Sequence, residues 1–193
     1  MKKPTFVIEH LEKRVWRWCE IEYENASKLI KPYPLLITNL KRGKKEFSKF
    51  AKLEKKSITD LDINWERVCV LDPKATEVLK PEDKEKFDYF VFGGILGDEE
   101  FNGRTGKELT ERMSKKVVLK HLGEKQFSTD NALFVTKLIL DGKKLEEIKT
   151  QWQAEVDINE VESIILPYCY PLVDGKPQMS SALVEYLKRK KGI

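Results

Sequence analysis

Asp98, Glu99 and Glu100 stand in a row just past a double glycine, Gly93-Gly94, with a third glycine, Gly97, immediately before them. Three carboxylates on a backbone-exposing loop make an acidic mouth suited to a cation, since negative charge can orient a positive group and accept its proton. Glu9 and His10 end the first apolar run, "FVIEH", and are expected beside that mouth. Asp98 is the candidate for acting directly on a nucleophile, with Glu9 as a second orienting group. His10, Glu99 and Glu100 are candidates for contacting a substrate. The plainer alternative is a solvated loop tip, which charge runs often are.

A second glycine follows the next apolar run, expected as a strand neighbouring the one that ends in Gly93-Gly94: in "VVLKHLGEKQFSTDNAL", Gly123 opens the backbone just before a helix start. Leu71-Asp72-Pro73 closes a third run, "RVCVLDP". Ligands of open α/β sheets bind in the crevice beyond the carboxyl ends of the strands. These three segments therefore read as the walls of one small-molecule site, or else as ordinary turns and a helix cap. No G-x-G-x-x-G or Walker loop is present, so neither a dinucleotide nor an ATP site of the usual kind is indicated. Three scattered cysteines and two histidines offer no clustered ligands, and no metal is expected.

The elements that must carry these loops alternate. "TFVIEHL", "LLITNL", "RVCVLDP", "FDYFVFGG" and "KKVVLKHLG" read as five short buried strands. Between the first two, Leu11, Val15, Trp18, Ala26 and Leu29 share one helical face. "STDNALFVTKLILDG" carries a cap signature at Ser128-Thr129-Asp130 and a terminal Gly142, and predicts a second helix. Phe47, Phe50 and Leu53 at helical spacing predict a third, basic one. Short apolar strands alternating with helices mean an α/β fold with a mostly parallel sheet covered on both faces. Residues 149–193 differ: a Pro-rich pair of short strands turning at Asp174-Gly175, then a terminal helix. The expected organisation is one domain, 1–148, with an extension, 149–193, packed on it.

Hydrophobic residues make up 40% and charged residues 35% of the 193, which fits a packed globule with a heavily charged surface. No apolar run is long enough to span a membrane and the cysteines look reduced, so a cytoplasmic protein is expected. Charge is uneven. Residues 1–60 hold 15 Lys or Arg against 8 Asp or Glu, leaving the rest mildly acidic in a chain of net +4. Lys44, Lys45, Lys49 and Lys52 lie in the basic stretch from Lys41 to Lys56, which reads either as a docking face for RNA or a ribosomal particle or as a solvated helix face.

"RVCVLDPKATEVLKPEDKEKFDYFVFGGILGD", "RTGKEL" and "LGEKQFSTDNAL", with the opening "VIEHLE" and the tail "NEVESIILPYCYPLVDGKP", together resemble the SPOUT class of methyltransferases. The branch is the archaeal and eukaryotic one that includes a fungal ribosomal-protein arginine methyltransferase. The resemblance spans nearly the whole chain. It implies a C-terminal trefoil knot whose loops hold S-adenosylmethionine in a bent form. The positions it carries over are Leu71, Asp72 and Pro73; Phe92, Gly93, Gly94, Ile95, Leu96 and Gly97; and Leu122, Gly123, Lys125, Gln126, Phe127, Ser128 and Thr129. Gly94 is expected to leave room for the ligand, and Arg104 to hold the cofactor carboxylate or pin the loop. The implied reaction is methylation of an arginine of a ribosomal protein, with methylation of an RNA base as the alternative. A monomer is expected, and a homodimer is the other possibility for the class.

Overall fold

The computed structural model describes residues 3–41, 45–95, 109 and 117–190. Six parallel strands form its main sheet: β1 (Thr5–His10), β2 (Leu35–Thr38), β3 (Lys52–Leu53), β4 (Val68–Leu71), β5 (Tyr89–Gly94) and β6 (Val118–Lys120). Their order across the sheet is β3-β2-β1-β5-β4-β6. Alternation along β1 divides the interior. Phe6 and Ile8 face one side and pack with Phe90 and Phe92 of β5, while Val7 faces the other with Val70 and Val91. Side chains point to opposite faces with period two, so a strand covered on both faces must be apolar throughout, as "FVI" and "FVF" are.

On the Phe6 face lie α1 (Arg17–Leu29) and α2 (Thr129–Leu140), which pack on each other and on the sheet through Cys19, Tyr23, Ala26, Leu133, Val135 and Ile139. The first helix starts later than its apolar spacing suggests, with residues 12–14 forming a bend before it. Parallel strands put all their carboxyl ends on one edge, and α1 follows β1 as α2 follows the β6 loop, so both helix N-termini sit at that edge. A second, antiparallel sheet joins β7 (Thr150–Asp157), β8 (Ser163–Val173) and β9 (Lys176–Pro177), followed by α3 (Ser181–Lys190). Ala154, Val156, Leu166, Tyr168 and Leu183 close over Ile21 of α1, so the extension builds its own small core against the first helix.

Three sequence expectations change. The basic stretch is a 3-10 turn, Lys45–Lys49, followed by the edge strand β3, and not a regular helix. Phe47 alone of its apolar residues is fully buried, and Leu53 aligns with Ile37 of β2, so pairing to the sheet edge overrode helical spacing. The tail pair around Asp174-Gly175 is β8, eleven residues long, against the short β9, and β8 also pairs along its other edge with the eight-residue β7, absent from the sequence reading because most of its residues are polar and exposed. The turn at Asp174-Gly175 is where expected, both residues with positive φ. Finally, the strand ending in Gly93-Gly94 and the strand ending before Gly123 are not neighbours, because β4 lies between them. Among the described residues, no helix is long and apolar enough to cross a membrane.

Candidate functional site

Strands β5, β4 and β6 are contiguous, so the loops beginning at Gly93, Leu71 and His121 open side by side at the carboxyl edge. Leu71, Phe92 and Leu122 are buried and give the site an apolar floor, while Pro73, Gly93, Ile95, Gly123, Gln126 and Phe127 remain partly accessible above it. Leu96, Gly97, Asp98, Glu99, Glu100, Arg104 and Lys44 lie outside the described residues.

The β6 loop is held from several directions. His121 Nδ1 accepts the Gly123 N–H at 3.1 Å, giving that histidine a structural job. Gly123 has φ +107°, a backbone conformation that side-chain-bearing residues rarely adopt. Cys169 N–H of β8 donates to the Gln126 carbonyl at 2.7 Å, and Phe127 bridges to Cys169. The Lys125 ammonium sits 5.1 Å from the centre of the Trp152 ring on β7. The C-terminal extension is thus part of the site's wall.

The start of α2 is a buried polar cluster. Ser128 occupies the cap position but donates its hydroxyl to Asp130 Oδ1 at 2.7 Å, so it does not cap the helix with its own oxygen. Asp130 Oδ1 also accepts the Asn131 N–H, and Oδ2 accepts from Asn25 Nδ2 of α1 at 2.7 Å. Asn131 Nδ2 donates to Ser128 Oγ and to the carbonyl of Gln178, tying the helix start to the extension. Glu22 of α1 reaches the same place, with Trp18 Nε1 donating to it at 2.8 Å. Burial pushes the Glu22 carboxyl well up, nearby Asp130 pushes it further, and Trp18 and Thr129 act the other way. Asp130 is raised as well, again through burial.

At the end of β1, His10 and Tyr23 form a second buried pair, Nδ1 to hydroxyl at 2.8 Å. Burial lowers the His10 pKa, with Glu12 and the Arg14 backbone partly opposing it. A Cβ at Gly94 would sit 2.3 Å from the Tyr23 hydroxyl and 2.7 Å from Ile8 Cγ2. The bareness of Gly94 therefore serves the packing of Tyr23, which corrects the expectation that it makes room for a ligand. His10 is 4% exposed and so closes the edge from within, not as an open contact for a substrate.

Glu9 requires the clearest correction. It faces the other side of the sheet from His10 and is 2% exposed. Its carboxylate accepts from Thr38 Oγ1, from Ser57 Oγ at 2.6 Å and from the Ile58 N–H at 3.0 Å. With both oxygens committed it anchors the 57–60 turn to β1 and β2, and it is not available to orient an incoming cation. The sequence signal was misleading because a glutamate at a strand end looks the same whether it faces solvent or a turn. Asp72 is also buried, its Oδ1 accepting the Lys74 N–H, which shapes the β4 turn. Lys45, Lys49 and Lys52 are exposed around the outer rim. Neither Glu22 nor Asp130 was legible as a site residue, since only tertiary contact brings α1 and α2 together. Among the described residues no group of three or more Cys, His, Asp or Glu is placed to hold a metal.

Residues 5–192 match the sequence family described as protein arginine N-methyltransferase SFM1-like. The chain is 34% identical to the protein arginine N-methyltransferase SFM1 of Saccharomyces cerevisiae, over 95% of this chain and 94% of that one. It superposes on the crystal structure of the yeast arginine methyltransferase SFM1 complexed with SAM with a TM-score of 0.88, at 32% identity, over 98% of this chain and 92% of that one. A more distant likeness, in fold alone, is to a Trm10 structure from Thermococcus kodakaraensis: TM-score 0.54, 19% identity, 75% of this chain and 96% of that one.

Proposed function

Because the chain belongs to the SFM1-like family of protein arginine N-methyltransferases, we propose that it transfers a methyl group from S-adenosylmethionine to an arginine of a ribosomal protein. The observation that carries the reading is similarity along almost the whole chain to an arginine methyltransferase whose crystal structures are complexed with SAM, SAH and MTA. The residues present fit such a ligand. Three contiguous strand ends give an apolar floor at Leu71, Phe92 and Leu122, and loop backbone at Gly93, Gly123 and Gln126 supplies polar groups for a nucleoside and an amino-acid tail. When bound, the sulfonium supplies an activated methyl carbon for in-line attack by the guanidinium nitrogen.

The chain's own residues must then do three things. The loops at residues 71–73, 93–95 and 122–129 hold the donor, and much of the rate comes from that positioning. A carboxylate orients the guanidinium, which is otherwise fully protonated, and takes its proton as the new bond forms. Asp98 is assigned that role from its place after the glycine loop, with Glu99 and Glu100 attracting the cation and Arg104 contacting the cofactor carboxylate. Leu96 and Gly97 complete the donor loop. The reading extends to a SPOUT-type trefoil knot formed by the chain around the β5 and β6 loops. It also extends to a cytoplasmic monomer that docks on a ribosomal particle through Lys44, Lys45, Lys49 and Lys52.

The test is transfer of labelled methyl from S-adenosylmethionine into fractionated ribosomal protein and RNA. Label in a ribosomal-protein arginine is the expected result. Label confined to RNA would replace this reading with an RNA base methyltransferase.

A further inference from the structure

We propose that Glu22 and Asp130 share one proton across the α1–α2 interface, and that this proton fixes Thr129 and the cofactor loop that leads into it. The inference rests on the reading of residues 122–129 as part of the S-adenosylmethionine site. Its own basis is the geometry. Glu22 is 5%, Asp130 3% and Asn131 1% exposed, so the cluster is closed off from bulk water. Each helix buries one carboxyl there: Asn25, three residues along α1 from Glu22, donates to Asp130 Oδ2 at 2.7 Å, and none of the salt bridges among the described residues brings a lysine or arginine to either acid.

The donors that do reach them are neutral. Asp130 receives Ser128 Oγ, Asn131 N–H and Asn25 Nδ2, and Glu22 receives Trp18 Nε1. Two ionised carboxylates side by side in such a site repel strongly, and one of them keeps its proton. Among the described residues, the other titratable groups close enough to feel the charge of Glu22 or Asp130 include Tyr170 of β8 and Cys19 and Tyr23 of α1. All three are uncharged when protonated, and burial pushes each one's pKa up. None of them can supply the missing counter-charge.

The consequence falls on the loop. Thr129 is the first residue of α2 and lies against Glu22, with its N–H and hydroxyl favouring the ionised acid. Asn131, whose Oδ1 is buried with no partner, ties the same turn to the Gln178 carbonyl. Loss of the shared proton puts a second negative charge into this closed cluster. Relief comes from moving the α2 turn away from α1, which carries residues 122–129 with it. Glu22 and Asp130 are therefore positioning residues that act through Thr129, without touching the methyl donor themselves.

The test is the dissociation constant of S-adenosylhomocysteine from pH 6 to 9.5 for the wild-type protein, Glu22→Gln and Asp130→Asn, with circular dichroism to verify folding. For the wild type the affinity should be flat at low pH and fall about tenfold per unit once the pair ionises. An amide at either position cannot ionise. Both variants should bind about two- to threefold more weakly than wild type at pH 7 and lose the alkaline fall. Asp130→Asn keeps the question decidable if Glu22→Gln does not fold. A wild-type affinity flat to pH 9.5, or an alkaline fall of equal size in both amide variants, overturns the shared-proton role while leaving the cofactor reading intact. No binding by the folded wild type at any pH overturns the cofactor reading, and the proposal with it.

Discussion

Gly94→Ala tests how the carboxyl edge of the sheet is packed. The new Cβ would lie 2.3 Å from the Tyr23 hydroxyl, 2.7 Å from Ile8 Cγ2 and 3.1 Å from the Glu9 carbonyl, so the tyrosine must move by about an ångström. It has nowhere easy to go, being 1% exposed and hydrogen-bonded to His10 Nδ1 at 2.8 Å. Forcing an extra methyl into a filled core costs about 1–3 kcal/mol. Breaking the Tyr23–His10 bond and leaving a buried partner unsatisfied adds about 1–3 kcal/mol. The expected loss is therefore about 2–6 kcal/mol, a large share of a typical domain's stability. Tyr23→Phe supplies the control. It removes the clashing oxygen, and the hydrogen bond can be lost only once. The double variant should thus be less destabilised than the sum of the singles, by about 1–2 kcal/mol. Urea unfolding followed by tryptophan fluorescence measures all four corners of the cycle. Gly94→Ala within about 0.5 kcal/mol of wild type, or a strictly additive cycle, would refute the packing argument. Loss of cofactor binding without any loss of stability would return Gly94 to the role of making space for a ligand.

Three further outcomes can be measured directly. Asp98→Asn should cut turnover about ten- to a thousandfold, as removal of one electrostatic catalytic group does, with much less effect on S-adenosylhomocysteine affinity; near-normal turnover would move the proton-accepting role elsewhere. Replacing Lys45, Lys49 and Lys52 together by Gln should weaken binding to ribosomal particles and flatten its salt dependence, with methylation of a short arginine peptide little changed. An unaltered salt slope would leave those lysines as a solvated rim. The Glu22 carboxyl is pushed up to about 8, above the ordinary glutamate value. The folded chain thus binds more protons than the unfolded one between those values, and this stability is complete below the ordinary value and lost as pH rises through about 8. Melting temperatures should accordingly show Glu22→Gln gaining on wild type from pH 5 to pH 8, and a constant difference across that range would count against it.

Much of the scaffold was legible locally. "FVI", "VCVL" and "YFVFGG" are apolar on both faces because parallel strands are covered on both faces, so β1, β4 and β5 announced themselves and their class of sheet. The positive-φ turn at Asp174-Gly175 was likewise written in two residues. The glycine loops after β5 and before α2 marked the edge where a ligand is expected, since that inference needs only strand ends and backbone access. Local pattern stopped short wherever two segments compete for one side chain. Residues 45–53 have helical spacing, yet a sheet edge was available to Leu53 and took it. Glu9 reads as a charged strand end, but Ser57 and Ile58, some fifty residues on, supply the donors that turn it inward. Gly94 reads as a gap for a ligand, but Tyr23 from α1 fills it. Glu22 carries no motif at all, and Asp130 stands out only as part of a helix-cap signature. Each would be an ordinary helix-surface acid in isolation, and only the packing of α1 on α2 removes the water that would have kept them fully charged and independent. Apolar pattern and turn chemistry depend on neighbours in sequence, whereas the protonation and availability of a polar side chain depend on which distant segment folds against it.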